Sequence, residues 1–306
     1  MSTNPLFVTA APGTTDLLAE ELRALGIADA REAYGGVEGL ATLEQAYRAC
    51  LWSRTGMRVL WRIAEFPVVN DSELYEGVRS IDWSQQMGET DTLAVDFSGS
   101  VAGIDNSQFG AQRVKDAIVD QFREKTGERP SVDRAAPALR INVHAGRGAA
   151  VVAIDLSGDS LHRRGYRGGQ GAAPLKENLA AAILLRAGWP AIAGAGGHFV
   201  DPLCGSGTLP IEAALIAADI APGLTRQRFG FERWRQHDAA LWDKLRGEAL
   251  SRGAPDRLSA GRICGYDRDP VVLRDAEANA ARAGLGERLA FRRCELAALP
   301  KAPAPY

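Results

Sequence analysis

Eight consecutive residues constrain this chain more than any others: Asp201-Pro202-Leu203-Cys204-Gly205-Ser206-Gly207-Thr208. The apolar pair Phe199-Val200 leads in, and the apolar run from Leu209 to Ala218 leads out. The pattern reads as strand, glycine turn, helix. Gly205 and Gly207 permit a sharp turn and a close approach of backbone to ligand. Ser206 and Thr208 are expected to satisfy free N–H groups at the start of the helix. Such a turn suits a nucleoside-bearing ligand beneath a helix N-terminus. Two other ligand loops do not match. A phosphate loop needs a lysine after its second glycine, and none follows here. A dinucleotide fingerprint needs a third glycine, where Pro210 stands, and an acid about 20 residues on. The next strand-end acid, Asp267, lies 66 residues after Asp201. The bland alternative is a glycine turn with no ligand.

The stretch after the turn extends the pattern. Gly261 to Asp269 reads as a second strand ending in acids, and Asp267 could accept both hydroxyls of a ribose. Pro270 to Ala283 reads as a helix stopped by Gly284. Leu289-Ala290-Phe291 reads as a third strand, and Glu295 follows it where an acid or its backbone would meet an adenine edge. Ahead of the turn, Pro174 to Trp189 reads as a helix and Ala191 to Gly197 as a loop. A long insertion, Asp219 to Arg262, separates the first helix from the second strand. It holds Arg226, Arg228, Phe229, Phe231, Arg233, Trp234 and Arg235. Interleaved arginines and aromatics suit single-stranded or flipped nucleotides, and equally suit simple packing.

The first half has a different grammar. Leu6-Phe7-Val8 reads as a strand, Thr14 or Thr15 as the cap of a helix through Leu25, and Gly36 to Leu40 as a strand. A helix from Thr42 to about Trp52 and an extended run from Met57 to Phe66 follow, an α+β pattern in the ferredoxin-like manner. Asp71 to Ile81 is a short helix, and Leu93, Val95 and Phe97 alternate as in a half-buried strand. Asn106 then caps a long helix through Lys125, with Gln112, Arg113, Lys115 and Arg123 on its outer face. Two strands, Leu139 to Val143 and Ala150 to Ile154, close this half. The link Leu161-His162-Arg163-Arg164-Gly165-Tyr166-Arg167 is basic. Its arginines could pair with phosphates and its tyrosine stack on a base, or the cluster is solvated surface.

Charge divides along the same line. Residues 1–160 carry 15 Lys+Arg and 23 Asp+Glu, or −8; residues 161–306 carry 21 and 15, or +6. A polyanion is better accepted by the second part, although a local face of the first could still bind one. No apolar run approaches the ~20 residues of a membrane span, and Met1-Ser2-Thr3-Asn4-Pro5 lacks a signal-peptide pattern. The four cysteines are scattered without a C-x-x-C pair. They suggest a reduced, cytoplasmic protein with no metal, and Cys204 is either a nucleophile or an apolar filler.

Asp201 to Thr208 closely resembles the first motif of the class I S-adenosylmethionine-dependent methyltransferases, above all the branch acting on exocyclic amines of nucleic acids. The helix-strand-helix-strand-strand order and Asn106 to Lys115 resemble a THUMP RNA-binding domain. From Phe7 to about Leu299 the sequence resembles the THUMP-containing guanine-N2 methyltransferases of bacterial large-subunit (23S) ribosomal RNA. The resemblance implies a ferredoxin-like subdomain over residues 1–67, a THUMP domain over 68–158 and an incomplete α/β Rossmann-like methyltransferase domain over 159–306. It implies S-adenosylmethionine as cofactor, held by Asp201, Pro202, Gly205, Ser206, Gly207, Thr208, Asp267 and Glu295. It implies ribosomal RNA as partner, and the charge and aromatic pattern offers Arg113, Lys115, Arg163, Arg164, Tyr166, Arg167, Arg228 and Arg233 to meet it. The family's catalytic Asn-Pro-Pro-Tyr is missing: Pro303-Ala304-Pro305-Tyr306 follows no apolar strand, and Asn4-Pro5 lies in another domain. The chain is therefore expected to be truncated and inactive alone. The rival expectation is a non-catalytic RNA-binding protein with a vestigial nucleoside pocket.

Overall fold

A computed structural model describes residues 2–104, 106–168, 175–259 and 261–299. The first half builds one sheet. Its elements are β1 (Asn4–Ala10), α1 (Thr15–Ala24), β2 (Arg31–Ala33), β3 (Gly36–Ala41), α2 (Leu43–Trp52) and β4 (Gly56–Pro67). Then come α3 (Asp71–Arg79), β5 (Thr92–Gly99), α4 (Ser107–Thr126), β6 (Ser131–Val132), β7 (Leu139–Gly146) and β8 (Ala149–Asp155). The eight strands lie in the order β2-β3-β1-β4-β8-β7-β5-β6. The antiparallel pairing of β4 with β8, from Leu60 opposite Asp155 to Pro67 opposite Ala149, fuses the two expected N-terminal units into one sheet. Local chemistry starts its helices. Thr42 and Gln45 form a reciprocal capping box on α2, and Asn70 and Asn106 cap α3 and α4 through their side chains. Thr14 flanks α1 without capping it; its hydroxyl donates to the Ala11 carbonyl at 2.9 Å.

The second half adds α5 (Glu177–Arg186), α6 (Trp189–Gly194), β9 (Phe199–Asp201), α7 (Thr208–Ala217), α8 (Ala239–Arg252), β10 (Ile263–Asp267), α9 (Pro270–Arg282) and β11 (Leu289–Arg293). The expected helix splits at Gly188, whose left-handed φ of 71° ends one helix and starts another. The expected loop over 191–197 is thus mostly α6, while Pro174 lies outside the described residues. β9, β10 and β11 pair in parallel in the order β11-β10-β9, Cys264 standing opposite Val200 and Ala290. Parallel neighbours need crossovers, and α9 provides one of them. Tyr166, Leu184, Trp189, Ile211, Leu215, Ile263 and Leu285 are buried in this half's own core.

The insertion belongs to the other core. Phe229, Phe231, Trp234, Trp242 and Leu245 are buried with the N-terminal sheet. The Tyr47 ring stacks on Phe231 at 4.2 Å, and its hydroxyl meets His237 Nδ1 at 2.8 Å. Of the two readings open to these aromatics, the structure takes packing: they help to hold the two halves together. Burying each contributes roughly 1.5–3 kcal/mol, so nucleic acid could expose them only at that cost.

Candidate functional site

The glycine turn stands at the carboxyl ends of the parallel strands, the usual ligand side of an open α/β sheet. Asp201 ends β9, Asp267 ends β10, and Glu295 lies two residues past β11. Cys204 N–H donates to the Tyr266 carbonyl at 2.8 Å, which pins the turn against β10. Asp267 accepts the Gly205 N–H through Oδ2 and the Asp269 N–H through Oδ1, both at 3.0 Å. A carboxylate has about four lone-pair sites, so roughly two remain for ligand hydroxyls. Asp201 is 9% exposed, and its Oδ1 accepts the Leu203 N–H at 3.0 Å across Pro202. Burial pushes its carboxyl above the usual carboxylate range, and Asp267 nearby adds to the effect. A buried, electron-rich carboxylate of this kind favours a cationic ligand group.

The two glycines have different surroundings. Gly205 has φ 51°, and a Cβ there would meet nothing within 4 Å. Gly207 has φ 83°, and its Cβ would lie 3.0 Å from both Ala276 Cβ and Phe291 Cζ. Gly205 thus faces open space, while Gly207 is where the turn packs on α9 and β11. Gly207 is also the N-terminal flank of α7, and no side chain caps that helix. The expected capping by Ser206 and Thr208 is not made. Thr208 Oγ1 instead accepts from Arg167 Nη2 at 2.8 Å. Bare N–H groups at a helix start, open ground beside Gly205 and spare acceptors on Asp267 together fit a nucleoside-bearing ligand. Cys204 is no nucleophile: it is 7% exposed, and burial pushes its thiol up to about 12. Glu295 is exposed.

A residue that the sequence reading passed over holds this turn in place. Asn279 on α9 is 3% exposed; its Nδ2 donates to the Ser206 carbonyl at 3.0 Å, and its Oδ1 accepts the Gly168 N–H at 3.2 Å. A lone amide beside the buried Ala276 and Ala280 was the available signal.

The basic link divides in two. Arg164 and Tyr166 are each 1% exposed, so neither can meet RNA as expected. Arg164 donates to the carbonyls of Ser53, Arg54 and Leu161 and lies 3.5 Å from Glu212 Oε1, which also accepts the Tyr166 hydroxyl at 3.1 Å. A charge buried this deeply must be paired, and these contacts pair it. Arg167 is also turned inward, to Glu177 at 3.1 Å, the Leu175 carbonyl and Thr208. Only Arg163 of this cluster is exposed, 3.8 Å from Asp159. On α4, the Arg113 guanidinium sits 4.5 Å over the Tyr75 ring and 3.4 Å from Asp71, and Lys115 pairs with Asp116. Arg228 and Arg233 are exposed.

Known proteins share this arrangement. Residues 5–60 match the RlmL ferredoxin-like domain, residues 69–155 the THUMP domain, and residues 164–305 the RMKL-like, methyltransferase domain. The ribosomal RNA large subunit methyltransferase K/L of Pseudomonas paraeruginosa is 50% identical over 299 residues, and that of Syntrophotalea carbinolica 52% over 297. Each alignment covers 97% of this chain but only 41% and 42% of the relative. The chain therefore spans about two fifths of the length of the curated relatives it matches. Among solved structures, a predicted N6-adenine-specific DNA methylase from Listeria monocytogenes superposes with a TM-score of 0.86 at 32% identity, covering 98% of this chain and 77% of that one. SMU.472, a putative methyltransferase complexed with SAH, gives 0.85 at 32%, covering 99% and 78%. The chain belongs to the RMKL-like methyltransferase family, in the branch that carries an RlmL ferredoxin-like domain and a THUMP domain ahead of the methyltransferase domain.

Proposed function

We propose that this chain serves the S-adenosylmethionine-dependent methylation of the exocyclic N2 amine of a guanine in large-subunit ribosomal RNA. The carrying observation is the turn itself: open ground at Gly205, a bare helix start, and Asp267 with acceptors to spare. The relatives' names and the SAH-bound neighbour support the same reading. We assign ribose binding to Asp267, the ammonium end of the cofactor to the buried Asp201, and the adenine side to Glu295. Pro202, Ser206, Gly207 and Thr208 shape the loop between them. When bound, the cofactor supplies an electrophilic methyl group.

The chain's own part is to bind and orient. Asp267 fixes the Gly205 peptide and so the floor of the pocket. Asn279 fixes the Ser206 carbonyl from the other side. RNA contacts are assigned to Arg163, Arg228 and Arg233, with secondary roles for Arg113 and Lys115, whose charges are already partnered within the chain. We place the cofactor work in 159–306 and divide the RNA-binding work between residues 68–158 and the basic positions Arg163, Arg228 and Arg233.

Calorimetry with SAH tests the pocket, and saturable one-to-one binding is expected. The choice of amine is tested in cells. Deleting the gene should remove N2-methylguanosine from large-subunit RNA, whereas loss of N6-methyladenosine would assign the other amine and overturn the guanine reading.

A further inference from the structure

Three hollows adjoin one another on a face remote from the glycine turn in sequence. One, of about 230 Å3, lies between α4 and the β5–β6 edge, lined by Gln108, Gln112 and Val132 among others. A second, of about 300 Å3, shares Val95, Gln108 and Arg134 with it. A third, of about 130 Å3, shares Arg140 with the second and runs to Arg228 and Arg233 of the insertion. Shared lining residues thus join the three into a row, a discontinuous groove from α4 on the THUMP half to the insertion of the methyltransferase half.

The charges in it are unevenly engaged. Asp96 lies 3.2 Å from Arg140. Beside the groove and outside its lining, Asp133 Oδ1 accepts the N–H groups of Ala135 and Ala136 at 2.9 and 3.0 Å. Glu232 accepts the Phe229 N–H at 2.8 Å, and Asp159 stands 3.8 Å from Arg163. The carboxylates thus already hold partners. Among the described residues, the guanidinium groups of Arg134 and Arg228 have none, and Arg233 has only the Ala136 carbonyl at 3.4 Å. Free guanidinium donors suit phosphate oxygens.

One end is closely packed. A Cβ on Gly158 would lie 2.9 Å from Gly230 N, and one on Gly230 would lie 2.5 Å from the Asp155 carbonyl oxygen. The insertion's backbone is therefore seated directly on the turn after β8.

Resting on the RNA-methyltransferase reading above, we propose that this groove is a track for single-stranded RNA, with phosphates on Arg134, Arg228 and Arg233 and bases toward Gln108 and Gln112. Each hollow is no larger than the low end of a small-molecule site, ~300–1,000 Å3, so an extended strand laid along all three fits better than one enclosed ligand. The amides favour RNA over an acidic peptide, because each offers both donor and acceptor to a base edge. Apolar Val95 and Val132 give the bases a surface to lie on.

The test is fluorescence anisotropy of the whole chain with a labelled single-stranded RNA across a salt series. The triple variant Arg134→Gln/Arg228→Gln/Arg233→Gln should lose about 100-fold in affinity at 0.1 M salt, and the slope of log K against log salt should fall by about 2. The matched variant Arg129→Gln/Arg246→Gln/Arg274→Gln removes three exposed cations elsewhere and should change little. RNA binding that the groove variant does not weaken would overturn the groove and with it the RNA contacts assigned to Arg228 and Arg233, leaving the cofactor reading untouched. Failure of the wild-type chain to bind RNA would overturn the groove, while SAH binding would still test the cofactor reading separately. Tighter binding of an acidic peptide than of RNA would also overturn the assignment.

Discussion

The two glycines of the turn should fail in different ways when each is changed to alanine. At Gly205 the added methyl meets no neighbour within 4 Å. Its cost is the left-handed backbone alone, about 1–2 kcal/mol. For a domain of 150–250 residues that lowers Tm by about 2–8 °C. The methyl would, however, fill the ground that the ligand needs. SAH affinity should fall at least ~10-fold, about 1.4 kcal/mol. At Gly207 the same backbone cost is joined by contacts of 3.0 Å to Ala276 and Phe291, well inside ordinary carbon separation. Overpacking adds ~1–3 kcal/mol, for a total of about 2–5. Gly207→Ala should therefore lose SAH binding because the turn itself is displaced. Thermal unfolding by circular dichroism and calorimetric titration with SAH separate the two. A Gly205→Ala chain that binds SAH as tightly as wild type would refute the pocket, and a Gly207→Ala chain that melts like wild type would refute the packing argument.

Other expectations follow from individual charged groups. Arg164→Ala should destabilise by about 3–5 kcal/mol in denaturant unfolding, because it strands Glu212; a loss below ~1 kcal/mol would mean that the pair is not needed. Arg163→Gln should leave stability unchanged and lower the RNA salt slope by about 0.7, and an unmoved slope would remove Arg163 from the RNA face. Burial raises the Asp201 carboxyl above its unfolded value, so the folded state gains stability as pH falls through the raised value. Asp201→Asn should thus leave the ligand-free protein as stable or more stable at pH 7 while weakening SAH binding, and a less stable ligand-free variant would contradict this. His162 is lowered to about 4, first by burial and then by Lys176 and the neighbouring arginines. Its folded value is below its unfolded one, so stability is lost as pH falls from about 6.5 toward 4, by about 1.5 kcal/mol at this half-buried group. His162→Gln should remove that part of the pH profile, measured as urea midpoints.

What could be read locally was local in cause. The Asp201–Thr208 turn, the Thr42 start of α2 and the Asn106 cap depend on residues within a few positions of one another. The insertion shows the opposite case. Phe229, Phe231 and Trp234 between arginines have the same pattern whether they stack on bases or pack inward, and the partners of Phe231 and Trp234, Tyr47 and Trp61, are more than 170 positions away. Arg164 and Tyr166 were misread for the same reason: their partners, Ser53, Arg54 and Glu212, are distant in sequence, and a window over the link shows only positive charge. Spacing also could not separate Gly205 from Gly207, because the difference lies in what α9 and β11 place behind each.

The basic link is a strut, and this bears on how binding and chemistry would be joined. Arg164 connects the end of α2 to Glu212 on α7. Arg54 reaches the carbonyl of Ile220, just after the same helix, at 3.0 Å. Arg167 holds Thr208 at that helix's first turn, and Asn279 holds both Gly168 and Ser206. The helix that begins at the glycine turn is therefore tied to the N-terminal half at Glu212 and just past its end, while Arg167 and Asn279 tie its start to the link and α9. With the insertion's aromatics buried in the core of that N-terminal half, the two halves share two separate sets of contacts. A strand of RNA held across Arg134 and Arg228 would then meet a pocket at a fixed offset. Selection of the target would fall to the geometry between groove and turn, with little freedom for the halves to search independently.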